Sequence, residues 1–125
     1  MDERHAARFQ DLEVWQEAKK LAVSIYNLTS SKTFDHDWGL RDQMRRAAVS
    51  IMANIAEGFG RNSRKEFSRY LIIALGSNSE LQSHLHLAFE VQYCTTEQFN
   101  HQIQLAECVA KQLAGFIKYL KLNLN

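Results

Sequence analysis

The chain of 125 residues contains no proline and only five glycines. Proline ends or kinks helices, and a loop-rich β sandwich needs both residue types at its many turns. Their scarcity permits long uninterrupted helices and argues against an all-β fold. The content of hydrophobic residues, 46%, and of charged residues, 23%, is typical of a globular protein. We therefore expect one all-α domain that spans residues 1–125.

Apolar residues spaced three and four apart predict four helices, over about residues 11–29, 38–58, 64–93 and 96–121. Asp11 is expected to cap the first helix, and Gly58 and Gly60 are expected to end the second. Ser63 and Thr95 each precede Glu or Gln by three residues, which is the capping-box pattern that opens the third and fourth helices. Short connections then require antiparallel neighbours, so we predict an up-and-down four-helix bundle.

The second and third predicted helices carry more apolar surface than one bundle face needs. A subunit interface would cover the excess, and two well-buried central helices in a monomer would also account for it. Gly76 costs a helix about 1 kcal/mol relative to alanine unless close packing repays it. We predict a homo-oligomer whose interface contains Val49, Met52, Ala56, Ile72, Ile73 and Gly76.

A polar stripe follows the second predicted helix and has two interpretations. Its polar seam consists of Gln43, Ser50, Asn54 and Glu57, and Arg46 and Arg61 share the same spacing. As a structural feature, it is an exposed face with a Glu57–Arg61 ion pair, or a hydrogen-bonded seam that fixes the register of subunits. As a functional feature, its arginines would hold phosphate while the amides and hydroxyl form hydrogen bonds.

The formal net charge of +1 is distributed unevenly along the chain. Residues 41–69 contain seven basic and three acidic residues, a net +4, and the remainder has a net −3. A solvated basic surface explains such a segment, as does an anion-binding site at the glycine-containing connection that precedes the third helix. The candidate nucleic-acid or anion-binding residues are Arg45, Arg46, Arg61, Arg64 and Lys65.

Other chemistry has little support in the sequence. Glu80 with His84, and His86 with Glu90, are spaced like metal ligands on a helix but lack a third ligand. We predict no metal, no cofactor, no catalytic residue and no enzymatic activity, and we expect Asn78 to be hydrogen-bonded in the core. Without a signal peptide or an apolar run of about 20 residues, the sequence predicts a cytoplasmic protein that does not enter a membrane.

Three ordered blocks carry a family resemblance. They are Phe9-Gln-Asp-Leu-Glu-Val-Trp-Gln16, the stretch from Gly39 to Arg61, and the stretch from Glu66 to Leu81. Together they resemble the bacterial four-helix bundle family encoded in intervening sequences of 23S ribosomal RNA genes, over about residues 9–120. The resemblance implies a ring-like homopentamer with no established enzymatic activity. More distantly, the chain is similar to the accessory variability proteins of diversity-generating retroelements, whose basic pentameric barrels engage nucleic acid and a reverse transcriptase.

The resemblance also concerns individual positions. It places the family's polar and basic motif on Arg45, Arg46, Ser50, Asn54, Glu57 and Arg61. Met52 stands where proline is common in the family, and the connection between the first two helices also lacks a common proline. Because methionine restores the backbone donor that proline lacks, a kink at Met52 is left open.

These observations support two functional hypotheses. The first is a non-enzymatic oligomeric scaffold that binds structured RNA, or another polyanion, through the surface of Arg46 and Arg61. The alternative is a protein-interaction scaffold whose polar seam holds the oligomer in register.

Overall fold

The computed structural model describes residues 6–122. Its four helices are α1 (Glu13–Thr29), α2 (Trp38–Phe59), α3 (Arg64–Glu90) and α4 (Thr96–Leu122). Single 3-10 turns at Phe9–Asp11 and Lys32–Phe34 precede α1 and α2. The described range contains no β strand. The prediction of an all-α protein with four helices is therefore confirmed, and α2 continues through Met52.

The helices pack as a ring of antiparallel neighbours around one core. Each helix contacts two others, since α1 packs against α2 and α4, and α3 packs against α2 and α4. Phe67 near the start of α3 contacts Phe116 near the end of α4, whereas Phe89 stacks on Phe99 at the opposite end of the pair. This pairing requires that the two helices run in opposite directions, as an up-and-down bundle does.

The apolar stripes predicted for α1 and α2 are buried as expected. In α4 the buried stripe differs from the one that the spacing predicts. Ile103 and Ala110 belong to the predicted stripe but are half-buried, whereas Gln102, Val109 and Phe116 lie inside. The Gln102 amide donates to the Ser24 hydroxyl of α1 at 2.7 Å. A polar side chain thus occupies a position that hydrophobic periodicity alone does not assign to the core.

Two predicted helix ends differ from the structure. Asp11 does not cap α1, because residues 9–11 form a 3-10 turn and Leu12 stands at the N-cap without a capping side chain. At the other end, α3 stops at Glu90 instead of residue 93, because Gln92 takes a left-handed φ of 67°. The Tyr93 N–H then donates to the Ala88 carbonyl at 2.8 Å, which closes a Schellman motif.

The two predicted capping boxes are present to different degrees. Thr95 and Gln98 exchange both bonds, at 2.9 and 3.1 Å. The Ser63 hydroxyl accepts from the Glu66 N–H at 3.2 Å, but the Glu66 carboxylate pairs with Arg69. The N-terminus of α3 is thus capped by Ser63, and the Glu66 side chain is used elsewhere.

One carboxylate joins the two connections at the same end of the bundle. Asp37 accepts the Leu40 N–H at 3.0 Å, which caps α2, and its second oxygen accepts the Tyr93 hydroxyl at 2.9 Å. The Thr33 hydroxyl donates to the Tyr93 carbonyl at 2.6 Å. The bonds from Leu40 and Tyr93 lower the pKa of Asp37, and the same carboxylate raises the pKa of Tyr93.

The substitution Asp37→Asn is expected to remove an acid-sensitive part of the stability. Because the pKa of Asp37 is lowered in the folded protein, its carboxylate stabilises the fold at pH values above its ordinary pKa of 3.8. This contribution is lost as the pH falls through the folded-state pKa. Because asparagine also caps helices, the variant retains a capping side chain at the start of α2. The difference in Tm between wild type and variant should therefore be constant well above pH 3.8 and shrink as the pH falls below that value in thermal melts. Asp35→Asn is the control, and an unchanging difference for Asp37→Asn would contradict the prediction.

Candidate functional site

The polar seam lies on the side of α2 that faces α3. The hydroxyl groups of Ser50 and Ser77 are 2.8 Å apart across the two helices. The Asn54 amide donates to the Ser50 carbonyl at 2.8 Å and to its hydroxyl at 3.1 Å. Gln43 and Glu57, at the two ends of the seam, are exposed. The middle of the seam is therefore hydrogen-bonded within one subunit and half-buried, and its two ends are exposed.

Arg45 lies on the opposite edge of α2, against α1. Its Nε donates to the Thr29 hydroxyl at 2.9 Å, and an Nη donates to the Ser30 hydroxyl at 3.2 Å. Its guanidinium also lies 4.5 Å from the centre of the Tyr26 ring. Arg45 is one of the predicted anion-binding residues, and the structure shows that it joins α2 to α1.

Arg46 occupies the outward face of α2, beside Arg45 and apart from the candidate cations of the α2–α3 connection. It is exposed and lines a shallow depression with Asp42 and Val49. Arg61 follows fifteen residues later, which is about 22 Å along the axis of a helix. The predicted surface of Arg46 and Arg61 is therefore a long stripe with one cation near each end, and the structure does not bring the two together.

The connection from α2 to α3 is short and closely packed. A Cβ atom on Gly58 would lie 2.6 Å from the Tyr70 Cβ, so the approach of the two helices depends on this glycine. Gly60 keeps a right-handed φ of −72°, and the left-handed residue of the turn is Asn62, with φ 59°. This turn exposes a set of cations that we name the basic corner: Arg61, Arg64, Lys65 and Arg69.

Tyr70 organises two of the arginines at this corner. Its ring centre is 5.1 Å from the Arg61 guanidinium and 4.8 Å from that of Arg69. Its hydroxyl accepts from an Arg61 Nη at 2.6 Å. Cations are attracted to the face of an aromatic ring, so Tyr70 holds two like charges near one another.

Each of these arginines also has a carboxylate partner. Arg61 contacts Glu57 at 2.8 Å, as the sequence predicted, and Arg69 contacts Glu66 at 3.2 Å. The bond from Arg69 lowers the pKa of Glu66, and the bond to Glu57 raises the pKa of Arg61. Four cations against two carboxylates leave a net charge of +2 at the basic corner. The pairs are exposed, so solvent and salt screen them.

A cavity of about 260 Å³ opens beside the basic corner, and we name it the end pocket. Four aromatic side chains line it, together with Asn62, Ser63 and Arg64 from the α2–α3 connection. The aromatic residues are Phe59, Phe67, Phe116 and Tyr119, and they touch one another, with ring centres 5.0 to 6.3 Å apart. The remaining lining comes from Ala6, Gly58 and Leu120. An aromatic cavity with polar groups on one side is suited to a flat, partly polar ligand.

The residues predicted for an oligomer interface fall on two faces of the bundle. Val49, Ile72 and Ile73 are 40%, 46% and 41% exposed. Met52 is half-buried and lies two helical turns after Arg45, hence on the α1 side, as does Ala56. Gly76 faces open space, so no packing within the subunit offsets its low helix propensity.

The sequence did not identify Tyr70 or the end pocket as functional features. Tyr70 lies outside the predicted stripe, and the pocket collects residues from the N-terminal segment and three helices. For metal binding, no cluster of three or more His, Cys, Asp or Glu side chains occurs within residues 6–122. In the same range, no helix has the length and hydropathy needed to cross a membrane.

A family model and a solved structure both relate this chain to one protein family. The model of the 23S rRNA-intervening sequence protein family matches residues 10–115. The crystal structure of a protein with unknown function, from the S23 ribosomal protein family of Bacteroides thetaiotaomicron VPI-5482, is 29% identical, with a TM-score of 0.78. The match covers 84% of the present chain and 98% of that chain. No curated protein shows significant similarity.

The family match covers α1, α2, α3 and most of α4, and it includes the polar seam, Arg61 and the α2–α3 connection. The first of the two resemblances noted in the sequence is thereby confirmed, whereas the one to the retroelement proteins stays a prediction. The chain belongs to the 23S rRNA-intervening sequence protein family.

Proposed function

We propose that the protein is a non-enzymatic, homo-oligomeric scaffold that binds structured RNA at its basic corner. The observation that carries the proposal is the collection of four exposed cations at the α2–α3 connection and the first two turns of α3, namely Arg61, Arg64, Lys65 and Arg69. Neutralisation of RNA phosphates by Lys and Arg releases counterions and supplies most of the affinity in non-specific binding. With RNA as its ligand, the protein would act in the cytoplasm.

The geometry of the corner favours phosphate over a carboxylate-bearing partner. Arg61 and Arg69 both lie about 5 Å from the centre of the Tyr70 ring, and planar guanidinium groups bind phosphate oxygens in a bidentate manner. The first turn of α3, which begins at Arg64, adds backbone N–H groups without helical acceptors. Phosphate contacts of this kind fix a nucleic acid in place without reading its sequence.

The oligomeric part of the proposal is supported by exposed apolar surface. Val49 on α2 and Ile72 and Ile73 on α3 are large apolar side chains exposed to solvent. A head-to-tail contact that covers such side chains closes into a ring when the rotation between subunits allows. We propose the homopentamer that the family resemblance implies, in which five corners would add to one positive zone. Sedimentation that detects only monomer at micromolar concentration would contradict it.

The double substitution Arg61→Ala with Lys65→Ala is expected to weaken binding to a short hairpin RNA. Each phosphate contact contributes about one unit to the slope of log K against log salt, so the slope should fall in magnitude by about 2. Fluorescence anisotropy at several salt concentrations measures both quantities. Lys32→Ala is the matched control, because this exposed lysine lies at the opposite end of the bundle. Unchanged affinity in the double variant, or no RNA binding at low salt, would refute the proposal.

The protein-interaction scaffold remains the second candidate. It is favoured by the carboxylates of Glu57 and Glu66, which each neutralise one arginine of the corner. In that case a pull-down would recover a protein partner whether or not nuclease is added. Substitution of both Arg46 and Glu57 would then dissociate the oligomer, since the seam would set its register.

A further inference from the structure

The end pocket adjoins the basic corner through the chain itself. Its polar residues, Asn62, Ser63 and Arg64, are consecutive, and Arg61 and Lys65 flank them directly. Arg64 lines the pocket and belongs to the basic corner, so a ligand group inside the pocket would adjoin a phosphate held by the corner. The pocket and the corner together offer an aromatic cavity, hydrogen-bonding groups and cations in one small region.

The size and lining of the pocket indicate what it holds. Its volume of about 260 Å³ falls just below the range of about 300–1,000 Å³ that accommodates drug-sized ligands. A single flat ring system is the appropriate occupant. Aromatic side chains stack on any nucleobase, and amide and hydroxyl groups form hydrogen bonds with base edges.

We infer that the end pocket receives one unpaired nucleobase, so that the RNA ligand is one with a loop, bulge or free end. This inference rests on the proposed function. Bases inside an A-form duplex are stacked and paired, and the deep major groove hides their edges from side chains. Only an unpaired nucleotide can place its base in the pocket while its phosphate remains on the basic corner.

The first experiment uses 2-aminopurine, a fluorescent adenine analogue, at one of two positions in the same hairpin RNA. With the analogue in the loop, protein binding should change its emission strongly, because stacking on aromatic rings alters that emission. With the analogue in the stem, emission should stay near its free value. A fully paired duplex of equal length should bind about tenfold more weakly than the hairpin, a loss in the range that one stacked base produces.

The second experiment fills the pocket without changing a charge. Ala6 lines the pocket and Ala7, its neighbour, is exposed and does not. Ala6→Leu should weaken hairpin binding about tenfold and remove the emission change, whereas Ala7→Leu should do neither. Asn62→Gly provides a further variant, because glycine accepts the left-handed φ of 59° while the amide is deleted. It should lower the affinity for the hairpin and leave the affinity for the duplex unchanged.

The outcomes separate this inference from the proposed function. If hairpin and duplex bind equally, or if Ala6→Leu binds like Ala7→Leu, the pocket inference fails while RNA binding stands. If neither RNA binds but adenosine monophosphate binds in a way that Ala6→Leu abolishes, the pocket takes a free nucleotide and the proposed function fails. If neither RNA nor the nucleotide binds, both fail.

Discussion

Replacing Asn78 with aspartate is expected to destabilise the fold by about 3–5 kcal/mol at neutral pH, the range seen for an uncompensated buried charge. Asn78 is fully buried, and its amide donates to the Ala106 carbonyl of α4 at 2.9 Å. Its oxygen accepts from Gln82 at 2.7 Å. An ionised carboxylate would place a negative charge against the Ala106 carbonyl oxygen with no water to solvate it. Chemical denaturation gives the loss in the free energy of unfolding.

The pH dependence of that variant provides a check with a definite sign. Burial favours the protonated form of the introduced carboxyl group, so its folded-state pKa is raised above the unfolded value of about 3.9. The penalty is small below that pH and grows as pH rises toward the raised pKa. Asn78→Leu, which buries no charge, should cost less and show no such dependence. Equal losses for the two variants at neutral pH would contradict this account of Asn78.

Replacing Gly58 with alanine is expected to cost about 2 kcal/mol. The added Cβ would meet the Tyr70 Cβ at 2.6 Å and a ring carbon of Phe67 at 3.0 Å. Overpacking of this kind costs about 1–3 kcal/mol, and a contact so close to the backbone belongs at the upper end. The better helix propensity of alanine offsets about 1 kcal/mol of this cost. The free energy of unfolding from chemical denaturation measures the net effect.

Gly76 is the matched control, because it is also a glycine in a helix. A Cβ there meets no atom within 4 Å, so Gly76→Ala should stabilise the isolated subunit by up to about 1 kcal/mol. If both alanine variants were stabilised alike, Gly58 would have no packing role. Loss of the oligomer in Gly76→Ala would instead indicate that another subunit approaches this glycine closely.

The fold was predictable from sequence because periodicity and capping agree over most of the chain. Thr95 with Gln98 shows this at α4, where both reciprocal bonds are formed. The failures occur where long-range contacts decide the local structure. Gln92 adopts a left-handed conformation that its residue type does not favour, and the adjacent Tyr93 is held by bonds to Thr33 and Asp37, far away in sequence.

The candidate site was only partly predictable, and the reasons are geometric. Helical spacing correctly placed Ser50 and Asn54 on one face and paired Glu57 with Arg61. Helical spacing could not distinguish the edge of α2 that faces α3 from the edge that faces α1. Arg45 was therefore grouped with Arg61, Arg64 and Lys65, although it joins α2 to α1 and lies beside Arg46. The end pocket could not be predicted at all, because its lining is gathered from segments that meet only in the folded bundle.

The contribution of both Ala6 and Leu120 to the end pocket has a practical consequence. The described chain enters and leaves the bundle beside the end pocket, so a fusion partner or affinity tag joined at residue 6 or residue 122 would start next to the candidate RNA site. A polyhistidine tag there could compete with RNA or add cations of its own. The connections near Lys32 and Gln92 lie at the far end of the bundle. A fluorophore or a surface-immobilisation group attached there would leave the corner accessible.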